Sequence, residues 1–250
     1  MNSEEKQPFL SHLEELRKRL IRCAISVGVG FAAAYFFKEE LFLILVSPLK
    51  ENLSEGKQLI FTGLPEMFFA YLKTALVAGI LASAPVIFYQ LYMFVAPGLY
   101  QHERRLVVPF VVTSTLLFVG GSLFGYFVVF PFGFRFFLGF ANEYIQALPS
   151  VKEYFSFAVK LLFAFGLVFE LPVVSFFLAK MGMITPDLMR RKRKYALLLI
   201  FSASAILTPP DVVTQFMMAV PLMLLYEISI LVARTARRRK DEPASAEDKA

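Results

Sequence analysis

Long apolar segments alternate with short polar segments along most of the chain. We interpret the six apolar segments as helices, because they lack the short alternating pattern of a membrane β-barrel. They cover residues 20–37, 67–95, 106–134, 155–178, 195–207 and 212–233. Most reach the roughly 20 residues that are needed to cross about 30 Å of hydrocarbon. The fifth is only about 20 Å long as a helix, so we expect it to thin the bilayer or to lie beside protein partners.

Two of the polar segments predict further elements of the fold, a helix at the membrane interface and a cap outside the membrane. Residues 11–19 have apolar positions at helical spacing and begin with Ser11 three residues before Glu14, which predicts a capped, amphipathic helix at the membrane interface. Residues 38–65 hold an apolar run too short to cross a membrane, and they predict an ordered cap outside it.

Charge predicts how the segments are oriented. Six spans would place both termini on the same side of the membrane. Of the 26 Lys and Arg residues, 19 fall on that side and seven fall on the other side. Because basic loops remain inside, both termini are predicted to be cytoplasmic. Membrane topology therefore explains the net charge of +6 without nucleic-acid binding. We expect one membrane domain over residues 1–233 and a disordered cytoplasmic tail over residues 234–250.

Composition and the absence of known motifs exclude several classes of function. Charged residues make up 18% of the chain, whereas soluble proteins have about a quarter. The single cysteine, Cys23, excludes an intrachain disulfide and a thiolate metal cluster. The chain lacks the common zinc-protease, serine-hydrolase and phosphate-loop motifs, so we expect no catalytic residue, metal or cofactor. His12 and His102 are interpreted as polar surface residues.

One acid lies within an apolar segment. Glu170 falls in the fourth segment, where a charge costs about 3 kcal/mol on insertion scales, so it should face protein or a water-filled cavity. It could form an interhelical hydrogen bond, or it could handle protons or a passing peptide. The second possibility leads to an alternative function, a proton-coupled secondary transporter or channel.

Two further acids fall on the predicted cytoplasmic side. Residues 94–105 form a polar connector in which Glu103 precedes two arginines, and Glu15 lies four residues before Arg19 on the N-terminal helix. Each carboxylate either balances local charge or belongs to a cation site. For a cation site, paired arginines would be preferred to lysines, because a guanidinium can bind a carboxylate through two hydrogen bonds.

Six separated motifs resemble the TatC family, the multispanning receptor component of twin-arginine protein translocases. They read FLSHLEELRKRL at 9–20, SP at 47–48, FTGLP at 61–65, FVAPGLYQHERR at 94–105, FELP at 169–172 and LTPPD at 207–211. The resemblance implies an all-α membrane protein of six tilted transmembrane helices in a glove-shaped, concave bundle. It also implies the bacterial cytoplasmic (inner) membrane, cytoplasmic termini and no enzyme activity.

The resemblance implies a function as well. Such a protein would bind the twin-arginine signal peptide of folded precursor proteins at its cytoplasmic face. It would also nucleate a translocation complex that is driven by the proton-motive force. Its expected partners are these signal peptides, single-span subunits of the TatA and TatB type, and further copies within an oligomeric complex in the lipid bilayer.

The resemblance assigns roles to individual positions. The positions that match signal-peptide-binding residues are Glu15, Arg17, Phe94 and Glu103. Glu170 matches an intramembrane acid of the concave face, and Thr208 and Gln215 match positions where single-span partners dock. Pro48 and Asp211 match positions tied to the outer cap and to the turn between the two last helices.

Overall fold

The computed structural model describes residues 3–53, 59–95, 107–142, 144, 147–207 and 212–241, with side chains between residues 12 and 236. The described chain is helical almost throughout, and the predicted all-α class is confirmed. The helices are α1 (Ser3–Phe36), α2 (Lys38–Lys50), α3 (Glu66–Val95), α4 (Val107–Phe124), α5 (Phe130–Leu138), α6 (Val151–Phe169), α7 (Leu171–Lys180), α8 (Pro186–Arg191), α9 (Arg193–Leu207) and α10 (Val212–Asp241). A π-helical turn, Gly125–Val129, joins α4 to α5.

Five helical segments of the described chain are long and apolar enough to cross a membrane. They are His12–Phe36, Glu66–Val95, Val107–Leu138, Val151–Lys180 and Val212–Ala236. They correspond to the first four predicted segments and the sixth. The fifth predicted segment corresponds to α9, which has 15 residues and is about 22 Å long.

Both ends of the helical chain differ from the sequence expectation. The backbone is helical from Ser3, so Ser11 lies inside α1 and the prediction of Ser11 as an N-cap is wrong. The amphipathic and apolar parts form one helix, because residues 9–27 contain neither Gly nor Pro. At the other end, α10 continues to Asp241, past residue 234, where the tail was expected to begin. Residues 234–241 also lack Gly and Pro.

The chain divides into two compact units, which are described separately. The first comprises Met1–Val119 and Phe134–Val159, and the second comprises Gly120–Gly133 and Lys160–Ala250.

In the first unit, α1 and α3 run antiparallel and meet at two glycines. A Cβ atom on Gly30 would lie 2.7 Å from the Gly79 carbonyl oxygen, and one on Gly79 would lie 2.5 Å from the Phe31 nitrogen. Only glycine permits such a close backbone approach. Close by, the Ser83 hydroxyl donates to the Ser26 carbonyl at 2.9 Å. These contacts set the position of α1 along α3, so that the N-terminal part of α1 lies beside the C-terminal end of α3.

The predicted outer cap is held to α6 in the same unit. Its helix α2 is tied down by the buried Tyr154 hydroxyl, which donates to the Leu45 carbonyl. Further along, Ile60 donates to the Pro149 carbonyl at 3.1 Å and accepts from the Val151 amide at 2.9 Å. These bonds place the start of α6 beside the segment that leads into α3.

In the second unit, glycines let α4 approach α6. A Cβ atom on Gly121 would lie 2.5 Å from the Phe165 carbonyl oxygen, and one on Gly125 would lie 3.3 Å from the Phe165 ring. The Ser122 hydroxyl donates to the Leu162 carbonyl at 3.1 Å. The π-helical turn begins at Gly125, one helical turn after Gly121, where the approach to α6 is closer.

Candidate functional site

The candidate site lies where the N-terminal part of α1 meets the C-terminal end of α3. The His12 ring stacks on the Phe94 ring, with centroids 4.4 Å apart and planes 20° apart. Two turns further along α1, the Arg19 guanidinium donates from Nη1 to Gln90 Oε1 at 3.3 Å. Gln90 lies four residues before Phe94, so these contacts follow one face of each helix.

Glu15 lies on this face of α1, between the two contacts. Its Oε1 atom accepts two hydrogen bonds from Arg19, one from Nε at 3.0 Å and a second from Nη2. The pairing predicted from the i,i+4 spacing is therefore confirmed. The Arg19 side chain is 14% exposed and that of Glu15 is 35% exposed, so water screens this pair less than a fully exposed one. The carboxylate already binds a guanidinium of its own chain.

Arg17 lies on a different side of α1. It is two residues after Glu15, a rotation of about 200° around the helix, and its side chain is exposed. The neighbouring pair of Glu14 and Lys18, with 2.8 Å between the charged atoms, is also solvent-exposed. The structure thus brings Glu15 and Phe94 onto one interhelical face, and it places Arg17 off that face.

Three predicted site residues lie outside the described residues. They are Glu103, Thr208 and Asp211. Glu103 follows Phe94 in the same predicted connector, so its assignment stays a prediction, as do those of the other two.

Glu170 lies in the second unit, where a one-residue interruption separates α6 from α7. It follows α6 and precedes α7, where Pro172 occupies one of the first positions. Because proline lacks an amide hydrogen, it fits the first turn of a new helix better than the middle of an old one. The Glu170 residue is 7% exposed. This burial agrees with both open interpretations, an interhelical hydrogen bond and a functional intramembrane acid.

Gln215 contributes to the contact between α9 and α10. Its side-chain amide donates to the Phe201 carbonyl at 3.0 Å. Next to it, the Phe201 and Phe216 rings meet edge to face with centroids 5.1 Å apart. In this structure the predicted docking residue thus stabilises its own helix pair. The large apolar side chains that α9 exposes most are Leu198, Leu199 and Ile206.

Pro48 lies inside α2 and is buried. Its carbonyl oxygen accepts a hydrogen bond from the Asn52 side-chain amide at 2.8 Å. The position predicted to belong to the outer cap is therefore a packed part of that cap.

The chemistry of the α1–α3 face consists of charge pairing, hydrogen bonding and ring stacking. The described residues include no group of three His, Cys, Asp or Glu side chains that could hold a metal ion. Sequence reasoning missed the roles of His12 and Gln90. Gln90 did carry a signal, because it is a polar residue inside the second apolar segment.

Known proteins of one family resemble this chain along nearly its whole length. The family model described as Sec-independent protein translocase protein (TatC) matches residues 11–221. A relative of that name from Desulforapulum autotrophicum is 57% identical over 238 residues, with 95% of this chain and 88% of the relative covered. The relative of that name from Escherichia coli K12 is 42% identical, with 94% of this chain and 91% of the relative covered.

A solved structure has the same fold. It is described as the crystal structure of twin arginine translocase receptor TatC, and it matches with a TM-score of 0.82 at 42% identity. The match covers 91% of this chain and 100% of that structure. With its apolar helices, this chain is a multi-pass membrane protein and a component of a protein translocase. It belongs to the TatC family of Sec-independent protein translocase proteins.

Proposed function

We propose that this protein is the translocase subunit that binds the twin-arginine signal peptide of folded precursor proteins. Binding takes place at the cytoplasmic face and nucleates a translocation complex that is driven by the proton-motive force. The observation that carries this proposal is the Glu15 carboxylate, which accepts two hydrogen bonds from a guanidinium on the face that also holds Phe94. The site therefore contains a carboxylate that accepts two hydrogen bonds from a guanidinium, as the binding of an arginine ligand requires.

In the proposed mechanism, a signal-peptide arginine replaces Arg19 on Glu15. The exchange substitutes one charge-assisted contact for another, so the carboxylate is not left unpaired. Gln90 holds the Arg19 guanidinium at 3.3 Å and can keep it in place after the exchange. A lysine ligand would match the carboxylate less well, because its ammonium lacks the planar pair of donors.

A second arginine needs a second acceptor, and Glu103 is proposed for that role. Phe94 would offer its ring face to a guanidinium by cation–π stacking. His12 covers that ring in the structure, at 4.4 Å between centroids, so it would have to move aside. Arg17, on the exposed side of α1, is proposed to contact a part of the peptide other than the pair of arginines.

The other assignments complete the proposal. The termini face the cytoplasm of a bacterium whose inner membrane holds the protein. Single-span partners of the TatA and TatB type dock beside α9 and α10, at Thr208, Gln215 and the exposed apolar side chains of α9. Pro48 and Asp211 maintain the outer cap and the turn before α10, and Glu170 forms a polar position that faces protein.

Charge reversal at Glu103 tests the recognition step. Glu103→Lys should abolish photo-crosslinking to a twin-arginine peptide while the protein still inserts into the membrane, because a cation would repel both arginines. Glu14→Lys is the matched control, since Glu14 is exposed and pairs only with the exposed Lys18 in the described part of the chain. Undiminished crosslinking in Glu103→Lys would contradict the proposal.

Two substitutions test whether Glu15 serves to bind the peptide or only to pair with Arg19. Glu15→Gln removes the charged acceptor and should weaken peptide binding roughly tenfold, the effect of one charge-assisted hydrogen bond. Arg19→Gln removes the internal competitor, so the peptide should bind equally well or more tightly. Titration of a fluorescent peptide against each purified variant measures this. An equal loss in both variants would show that the pair serves α1 rather than the ligand.

The alternative function, a proton-coupled transporter or channel, rests on the buried position of Glu170. It predicts a solute flux in liposomes that Glu170→Gln removes. The family relationship favours the translocase, and a flux of this kind in the absence of any partner would favour the alternative.

A further inference from the structure

A cavity of about 490 Å³ opens in the first unit where α3 and α6 begin. This is the end of α3 opposite to Phe94. The volume falls within the roughly 300–1,000 Å³ that is typical of ligand pockets. The side chains that matter for its chemistry are those of Thr62, Glu66, Phe69, Lys73, Lys152 and Phe155.

Two lysines from different helices give this cavity its positive charge. Lys73 belongs to α3 and Lys152 to the first turn of α6, and both side chains are exposed. Neither ammonium forms an ion pair within the described part of the chain. Lys73 lies seven residues into a membrane-crossing segment, about 10 Å from its start. At that depth an exposed ammonium is costly unless it reaches a polar or anionic group.

The carboxylate in the cavity does not cancel this charge. Glu66 Oε2 accepts from the Thr62 amide at 2.9 Å, and Glu66 Oε1 accepts from the Thr62 hydroxyl at 3.2 Å. Glu66 is therefore engaged with the segment before α3, and two cations face one carboxylate. The N-terminal ends of α3 and α6 add a further positive potential.

The remaining lining is apolar. Phe155 is 1% exposed and forms a fixed wall, whereas Phe69 is 53% exposed and continues the apolar surface outward. A ligand that matches both parts carries a phosphate beside an aliphatic chain. We propose that this cavity binds a membrane phospholipid, with Lys73 and Lys152 contacting its phosphodiester and the exposed Phe69 ring contacting its acyl chain. This site is separate from signal-peptide recognition.

Native mass spectrometry of the purified protein with phosphatidylglycerol tests the site. Removal of both charges in Lys73→Gln with Lys152→Gln should lower lipid retention, by roughly fivefold for each lysine removed. Because both side chains are exposed, we expect the variant to unfold at the same temperature as the unsubstituted protein. The charge-preserving variant, Lys73→Arg with Lys152→Arg, should retain the lipid.

Three controls make the outcome decisive. Lys50→Gln removes an exposed lysine at the end of α2 that does not line the cavity, and it should leave retention unchanged. Diacylglycerol, which has the chains without the phosphate, should not be retained. Excess inorganic phosphate should not displace the lipid, because it lacks the acyl chain. Undiminished retention in the double Gln variant, an equal loss in Lys50→Gln, or release by inorganic phosphate would overturn the assignment.

Discussion

The helix pair α1–α3 and the helix pair α9–α10 are held together in different ways. The first pair meets backbone to backbone at Gly30 and Gly79. The second pair meets through side chains, and neither α9 nor α10 contains a glycine. A glycine contact fixes the position of one helix along the other, because any sliding brings side chains against backbone. Side-chain contacts can rearrange by rotamer changes at lower cost.

This difference matches the functions proposed for the two pairs. Recognition of two arginines requires carboxylates at fixed positions, and the glycine contact holds the face of α1 that carries Glu15. Docking of different partner helices requires an adaptable surface, and α9 exposes apolar side chains such as Leu199, at 69%. Rigidity and adaptability would thus be divided between two helix pairs of one chain.

The largest expected effect comes from breaking the glycine contact. Gly30→Ala places a methyl group 2.7 Å from a backbone oxygen that cannot move away without shifting α3. We expect a loss of about 2 kcal/mol or more in unfolding free energy, as for other overpacked sites. Thermal unfolding of the purified protein in detergent measures it.

The matched control lies two residues away on the same helix. A Cβ atom on Gly28 would have no neighbour within 4 Å, so Gly28→Ala should be neutral or stabilise the protein by up to about 1 kcal/mol through helix propensity. Equal stability of the two variants would show that the α1–α3 contact is as adaptable as the other pair.

A smaller effect is expected from the hydrogen bond between α9 and α10. Gln215→Leu removes the donor to the Phe201 carbonyl and should cost about 1 kcal/mol. Chemical unfolding measures the stability, and crosslinking to a single-span partner measures docking. Crosslinking that falls further than the stability change explains would support a docking role. If Gln215→Leu lowered the unfolding free energy by more than Gly30→Ala does, the α9–α10 pair would be the more rigid of the two, contrary to the proposal.

The smallest effect is expected for the ion pair that joins α9 to α10. Arg193 Nη2 lies 2.6 Å from Glu227 Oε2, but both side chains are about half exposed, at 49% and 48%. A double-mutant cycle with Arg193→Gln and Glu227→Gln should give a coupling of about 0.5 kcal/mol that decreases with salt. A coupling several times larger would mean that this ion pair fixes α9 on α10.

Much of the fold follows from local sequence signals. Apolar length predicts the long helices and the short α9, and the i,i+4 spacing predicts the Glu15–Arg19 pair. The spacing of Gly121 and Gly125 is typical of a close helix approach, and the structure has one there. The one-residue interruption at Glu170 also has a local cause in Pro172, and Val151–Lys180 still forms one membrane-crossing segment, as the fourth apolar segment predicts.

The remaining features depend on which segments meet in three dimensions. No local pattern pairs Gly30 with Gly79, or His12 with Phe94, because each partner lies on a different helix. The role of Gln90 depends on the same pairing, since its partner Arg19 is 71 positions earlier in the chain. The sequence thus assigned Glu15 and Phe94 to the face that we propose for recognition, whereas only the contact between α1 and α3 shows that His12 and Gln90 lie there as well.

The π-helical turn Gly125–Val129 has a consequence for changes in chain length. Such a turn holds one residue more than an α-helical turn would. Deleting one residue there would restore α-helical geometry and leave the buried Phe118 and Phe130, on either side, facing the same directions. A deletion elsewhere between Val107 and Leu138 would rotate all later residues by about 100°. We therefore expect this turn to be the place where the long helix tolerates the loss of a codon.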